Sequence, residues 1–199
     1  MYEIKKTDEF ENWFSGIRDS LTRGRLLARL RKASLGSLGD VASVGGGVWE
    51  MREHFGAGYR MYYVNYRKAI ILMLGGGCKS TQPADIKKVK KLLLALEDWM
   101  KSAKKTKIKD LKKFDVVDYL KTEKDIATYL SAVLEDGDPA LFVAAIGDIA
   151  RAKGMTEIAN RSGVTRESLY RALKVEARPR FETVTRVVQA LGLKLRVHA

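Results

Sequence analysis

Six side chains between residues 50 and 79 have the types needed to hold an anion and move a proton: Glu50, Arg52, His54, Arg60, Tyr62 and Lys79. A guanidinium is planar and grips two oxygens at once. An imidazole titrates near neutral pH, and a phenol stacks or positions a proton. A second set, Thr165, Arg166, Ser168, Tyr170 and Arg171, falls within seven residues. Along a short helix these are the exposed positions, suited to the bases and phosphates of a duplex.

The stretch that positions the first set alternates. Val48, Glu50, Arg52 and His54 face one way and Trp49, Met51, Glu53 and Phe55 the other, the period of a half-buried strand. Gly56-Ala57-Gly58 makes a turn, and residues 59–66 alternate again, with Arg60 and Tyr62 on one face and Met61 and Tyr63 on the other. Ala69–Leu74 is a continuous apolar run that suits a strand buried on both sides. Gly75-Gly76-Gly77 is expected to end it, with Lys79 just beyond. A small antiparallel sheet then gathers the six residues on a cationic, aromatic, partly titratable surface. Within it Glu50 either serves as a base or pairs with Arg52 or Arg60.

The rest of the first half reads as a strand at 2–7, a helix capped by Thr7 or Asp8, and a second helix at about 20–33. Phe10, Trp13, Phe14 and Ile17 form the apolar stripe of the first helix. The second has Leu21, Leu26, Leu27 and Leu30 on one side and Arg23, Arg25, Arg29, Arg31 and Lys32 on the other. That basic side is read as a solvated face or a nucleic-acid contact. Residues 34–47 form a loop with a short strand at 40–44. A helix opens at Pro83-Ala84-Asp85 and carries Ile86, Val89, Leu93, Leu96 and Met100.

Seven lysines crowd residues 100–113, which mark a solvated linker. Beyond them come an apolar-acidic segment at 114–120, a helix from Thr122-Glu123, and a second helix from Pro139 capped by Asp138 and ended by Gly154. In residues 155–173, Ala159 supplies the small side chain and Gly163 the positive φ that a helix-turn-helix requires. Ile158, Val164, Leu169 and Leu173 seal the pair, and Thr165 caps the second helix. A closing helix at 181–191 and a short strand at 193–197 finish the chain.

The totals agree. The 199 residues carry a formal net charge of +13, with 17 basic against 11 acidic residues before position 100 and 20 against 13 from there on. A polyanionic partner is expected for each half. The single cysteine, Cys78, excludes an intrachain disulfide and fits a cytoplasmic location. No zinc pattern exists with one Cys and two distant His, so neither a metal nor a cofactor is expected. The start lacks a signal-peptide layout, and the longest apolar run is too short to cross a bilayer.

Val48-Trp49-Glu50-Met51-Arg52, the run from Gly56 to Tyr63, and Gly75-Gly76-Gly77-Cys78-Lys79-Ser80-Thr81-Gln82 followed by Asp85-Ile86 resemble the RelE/ParE superfamily of toxins. The likeness is greatest to its HigB, phage-derived Gp49-like branch, and it covers nearly all of residues 1–99. The resemblance implies an mRNA endoribonuclease (an mRNA interferase) acting on the ribosome, while a minority of that superfamily poison DNA gyrase. It places a functional arginine at Arg60, which would clamp the phosphate. By their own chemistry Lys79 and Arg52 would add positive charge, Tyr62 would stack on a base or position a proton, and His54 would act as base or acid with Glu50 the alternative base.

Phe114-Asp115-Val116-Val117-Asp118-Tyr119-Leu120, Gly137-Asp138-Pro139, Gly147-Asp148-Ile149-Ala150-Arg151 and Ser168-Leu169-Tyr170-Arg171-Ala172-Leu173 resemble the HigA-like addiction-module antidotes, whose domain is of the Cro/repressor kind. That resemblance implies a dimeric transcription repressor that binds operator DNA and silences a toxin, in cis or between chains. The expected fold is thus α+β. Residues 1–99 would form a RelE-like domain with an antiparallel sheet, two N-terminal helices and a C-terminal helix. Residues 100–113 would be a linker, and 114–199 an all-α domain with its helix-turn-helix at 155–173.

Overall fold

The structure is a computed structural model that describes residues 1–66, 69–102, 111–174 and 177–195, with the side chains of 99–102 left aside. The fold is α+β, with a five-stranded sheet and a helical C-terminal part. The chain packs as two units, each assembled from two stretches. The first takes Met1–Arg18 and the described residues of Lys32–Phe114; the second takes Asp19–Arg31 and the chain from Asp115 onward.

In the first unit the strands β1 (Glu3–Lys6), β2 (Val41–Gly45), β3 (Val48–Arg52), β4 (Tyr59–Tyr66) and β5 (Ile70–Cys78) lie in the order β1-β5-β4-β3-β2. The sheet is not wholly antiparallel as expected: β1 pairs parallel with β5, and the other pairs are antiparallel. Parallel neighbours need a long crossover, which the whole stretch from β1 to β5 provides.

The expected break at the triple glycine is corrected, since β5 runs on through Gly75–Gly77 to Cys78. The glycines are there for close approach. A Cβ on Gly76 would stand 2.4 Å from the Trp13 ring of α1 (Asp8–Ser15), and one on Gly77 would stand 1.9 Å from the Asp85 carboxylate of α3 (Gln82–Ser102). Alternation along the strand thus sends Gly76 toward α1 and Gly77 toward α3. One extra residue, Leu74, stands between the pairs Tyr62–Gly75 and Tyr63–Met73, a bulge that re-aims the strand. Under α3 lies a core of Val48, Tyr62, Val64, Leu72, Leu74, Val89 and Leu93. Phe10 and Phe14 of α1 stack 5.7 Å apart, and Phe114 meets them edge-on at 6.3 and 6.0 Å.

Phe114 arrives there because residues 111–114 add to the edge of β1. Lys6 N donates to Lys112 O and Phe114 N to Ile4 O. Strand addition of this kind satisfies a sheet edge that would otherwise stay open. It also removes part of the expected linker, whose other end is helical up to Ser102; residues 103–110 lie outside the described residues.

The second unit contains α4 (Glu123–Asp136), α5 (Pro139–Lys153), α6 (Met155–Ser162), α7 (Arg166–Ala172) and α8 (Phe181–Ala190), preceded by a 3-10 turn at Val116–Tyr119. Thr122 and Asp125 form a capping box on α4, and Asp138 caps α5 as its position before Pro139 suggests. Gly163 adopts φ 68° between α6 and α7, and Ala159 is buried beside it. Residues 193–195 form no strand, and 196–197 lie outside the described residues.

Most of α2 (Ser20–Ser34) belongs to this second unit. Its Leu26, Leu27 and Leu30 are fully buried, whereas Leu21, expected in the same stripe, is 45% exposed. The sequence places α2 beside the sheet; the structure gives residues 19–31 to the helical unit.

Candidate functional site

The register sets Glu50 opposite Tyr62 and Arg52 opposite Arg60, so these four share one face of the sheet. They do not share one environment. Arg52 and His54 stand at the solvent end of β3, where Asp40 holds both. Arg52 Nε and Nη2 donate to Asp40 Oδ1 at 3.1 and 2.6 Å, and His54 Nε2 lies 2.7 Å from Asp40 Oδ2. The hydrogen bond from Arg52, then that from His54, keeps the Asp40 carboxyl below its ordinary value. A carboxylate that fixes one imidazole nitrogen leaves the other free to exchange a proton with a ligand. Asp40 was not singled out from the sequence, because it lies in a Gly/Ser-rich loop 12 and 14 residues before its two partners; the short strand expected at 40–44 was the one available signal.

Arg60 is buried. Its Nη1 donates to the carbonyls of Glu53 (3.0 Å) and Tyr59 (2.9 Å), and its Nε has no partner. It borders Gly58, whose positive φ of 70° and missing Cβ leave room for Lys79. Lys79 is exposed, with its amide on Ala57 O.

Glu50 and Tyr62 lie deeper. Glu50 is 3% exposed and accepts both bonds from Gln82 Nε2, at 3.1 and 2.8 Å. Its hydrogen bonds thus go to Gln82, while its charge acts on Arg52 only through space. Tyr62 is fully buried, its hydroxyl without a hydrogen-bond partner. Burial, then the charges of Asp85 and Glu50, push its pKa up, so the phenol stays protonated. The expected stacking of Tyr62 on a base is corrected, because its ring is sealed under α3 and opens to no ligand. Cys78 beside them is drawn down to about 7 by hydrogen bonds from Ser80 and then Thr81.

On the second unit, Thr165 caps α7 by accepting the Ser168 amide at 3.1 Å. The Arg166 guanidinium lies 5.5 Å from the centre of the Tyr170 ring, and Arg171 Nη2 reaches Ser168 Oγ at 3.4 Å. Tyr170 is 43% exposed. Beside them a groove of about 550 Å³ is lined by Ser168, Arg171, Lys174, Arg178 and Thr183 among others. Of the five residues expected here, Ser168 and Arg171 line that groove, and Thr165, Arg166 and Tyr170 are exposed along the same helix and its cap.

The arginines of α2 lie elsewhere than expected. Arg23 is bonded to Asp125, Arg25 to Glu135 at 3.0 Å, and Arg31 Nε to Asp148 Oδ2 at 2.7 Å. Asp148 is 2% exposed and also accepts from Tyr129 (3.1 Å) and Arg151 (2.8 Å), which in turn grips Asp115 with both terminal nitrogens. Three of the five basic residues read as a solvated or nucleic-acid-binding face are thus matched to carboxylates. Gly24 was the overlooked signal: a glycine inside a helix costs stability unless something must come close. A Cβ there would sit 2.7 Å from the Thr128 backbone of α4.

Among the described residues no three His, Cys, Asp or Glu side chains gather to hold a metal ion. No helix among them is long and apolar enough to cross a membrane.

Comparison with known proteins adds the following. A family described as "Probable addiction module antidote protein" matches residues 110–199. Two proteins of Haemophilus influenzae, each named only as uncharacterized, are similar to this chain. One is 44% identical over 87 residues, which make up 44% of this chain and 90% of the relative. The other is 39% identical over 95 residues, 48% of this chain and 94% of the relative. No solved structure matches.

Proposed function

The chain belongs, through residues 110–199, to the family of probable addiction module antidotes, and from that premise we propose that it is a toxin and its antidote fused in one polypeptide. An antidote implies a toxin partner, and the sheet unit is the toxin. The observation that carries this reading is one of length and division. Each relative is matched almost completely by less than half of this chain, and the part outside the antidote match forms its own sheet with its own cationic cluster. We read residues 1–99 as a RelE-like, HigB-type module, residues 100–113 as the seam, and 114–199 as the antidote.

The toxin is an endoribonuclease for mRNA on the ribosome. Metal-free cleavage needs a base for the ribose 2′-hydroxyl, positive charge on the phosphate, and an acid for the leaving oxygen. His54, oriented by Asp40, serves as the proton carrier. Lys79 supplies exposed charge, and Arg52 adds its own from beside Asp40. Arg60 turns from its two carbonyls onto the phosphate when RNA enters, and Glu50 and Tyr62 support the strand beneath. Residues 1–99 produced alone are expected to stop translation, and Arg60→Ala to relieve the arrest. Arrest undiminished in that variant overturns the assignment. DNA-damage signalling without mRNA loss would point instead to gyrase.

The basic groove beside α7 supports a second role. Residues 155–173 act as a helix-turn-helix that places Thr165, Arg166, Ser168, Tyr170 and Arg171 on operator DNA, as a dimer that represses its own operon. A gel shift with the upstream promoter tests it; an unshifted band for the intact chain counts against it.

A further inference from the structure

Residues 19–31 lie outside the family-matched stretch, yet they complete its unit. Three kinds of fit converge on that short helix. Leu26, Leu27 and Leu30 are fully buried. Gly24 brings the backbone of α2 against that of α4 at Thr128 and Tyr129. Arg23, Arg25 and Arg31 meet Asp125, Glu135 and Asp148. Arg23, Gly24 and Arg25 meet Asp125, Thr128 and Glu135, positions spread along about 15 Å of α4, and Gly24 marks the closest approach of the two backbones. Asp148 is held ready for its cation by Tyr129 and by Arg151, itself tied to Asp115.

We propose that the α4–α5 face of the antidote is a receptor for a basic, leucine-bearing helix, and that its ligand in this chain is residues 19–31 of the toxin module. This rests on the fused toxin–antidote reading and names the element by which the antidote recognises its partner. Apolar burial supplies the attraction. The three carboxylates set register and reject a helix of the wrong charge pattern. Gly24 acts as a steric key, because any larger residue meets main chain rather than a movable side chain.

Hydrogen–deuterium exchange on the full chain tests this. In Arg23→Glu/Arg31→Glu, amides 24–31 are expected to exchange at least tenfold faster while β3, β4 and β5 keep their protection. Gly24→Ala leaves every charge in place and is expected to act in the same direction, which keeps the test decisive if the double variant does not fold. Leu21→Glu, on the exposed side of the same helix, is expected to change nothing. Unaltered protection of residues 24–31 in the Gly24→Ala chain, or equal loss in Leu21→Glu, overturns the proposal. The same double variant induced in cells is expected to arrest growth, and adding Arg60→Ala to abolish the arrest. A released helix without arrest strikes the toxin reading and leaves the receptor standing; a protected helix strikes the receptor alone.

Discussion

Two short basic helices, α2 and α7, look alike in composition and differ in what their arginines meet. On α2, Arg23, Arg25 and Arg31 reach carboxylates more than a hundred residues away in sequence. On α7, Arg166 lies on the Tyr170 ring and Arg171 on the Ser168 hydroxyl, both one turn away on the same helix. The first set is matched to carboxylates within the fold; the second remains on the surface, matched only to its own helix. A basic run therefore announces an acidic partner but not whether that partner belongs to the same chain.

The comparison breaks most decisively at Asp148. Asp148→Ala leaves Arg31, Arg151 and the Tyr129 hydroxyl without their shared acceptor, and is expected to cost about 3–5 kcal/mol, read from the denaturant midpoint of the intact chain. Should that midpoint hardly move, α2 would be no more engaged than α7. Gly24→Ala comes next. In a free helix it would help by about 1 kcal/mol; here overpacking against α4 is expected to reverse the sign and destabilise by about 1–3 kcal/mol. Arg166→Ala with Arg171→Ala should leave thermal stability within about 0.5 kcal/mol. It should also weaken promoter binding and lower the salt slope by about two.

Acid sharpens the contrast further. Burial raises the Asp125 carboxyl, but hydrogen bonds from Arg23 and Thr122 outweigh it, so the folded value lies below 3.8. Its stabilising contribution is therefore complete above the unfolded value and fades as pH falls through the folded one. Asp125→Asn should flatten the acid limb of a stability–pH curve below about pH 4, while Arg171→Ala should not. The smallest effect is local. Cys78 is expected to be alkylated half-maximally near pH 7, its ionisation lowered first by Ser80. Ser80→Ala should move that midpoint upward, just as α7 is tuned by neighbours in sequence.

What was legible in advance was local. The capping box at Thr122, the cap at Asp138, the left-handed Gly163 and the small Ala159 each follow from one turn of chain. The alternation that gathers Glu50, Arg52, Arg60 and Tyr62 on one face follows from the period of a strand. Depth did not follow. Period two says which face a residue occupies, not whether a helix covers it, so Tyr62 and Glu50 read as surface and are buried under α3. The triple glycine read as a stop because glycine permits one; the strand continues because Trp13 and Asp85 need the space.

The amino-acid order by itself determined the elements, their caps, the antidote-like second half and the basic character of both halves, since each depends on neighbours within a few positions. Only the tertiary structure decided that residues 19–31 pack with the helical unit and 111–114 with the sheet, that Asp40 joins Arg52 to His54, and which arginines face carboxylates. Those outcomes turn on pairings between distant residues, where burial and charge are matched across the fold and no local period records the choice.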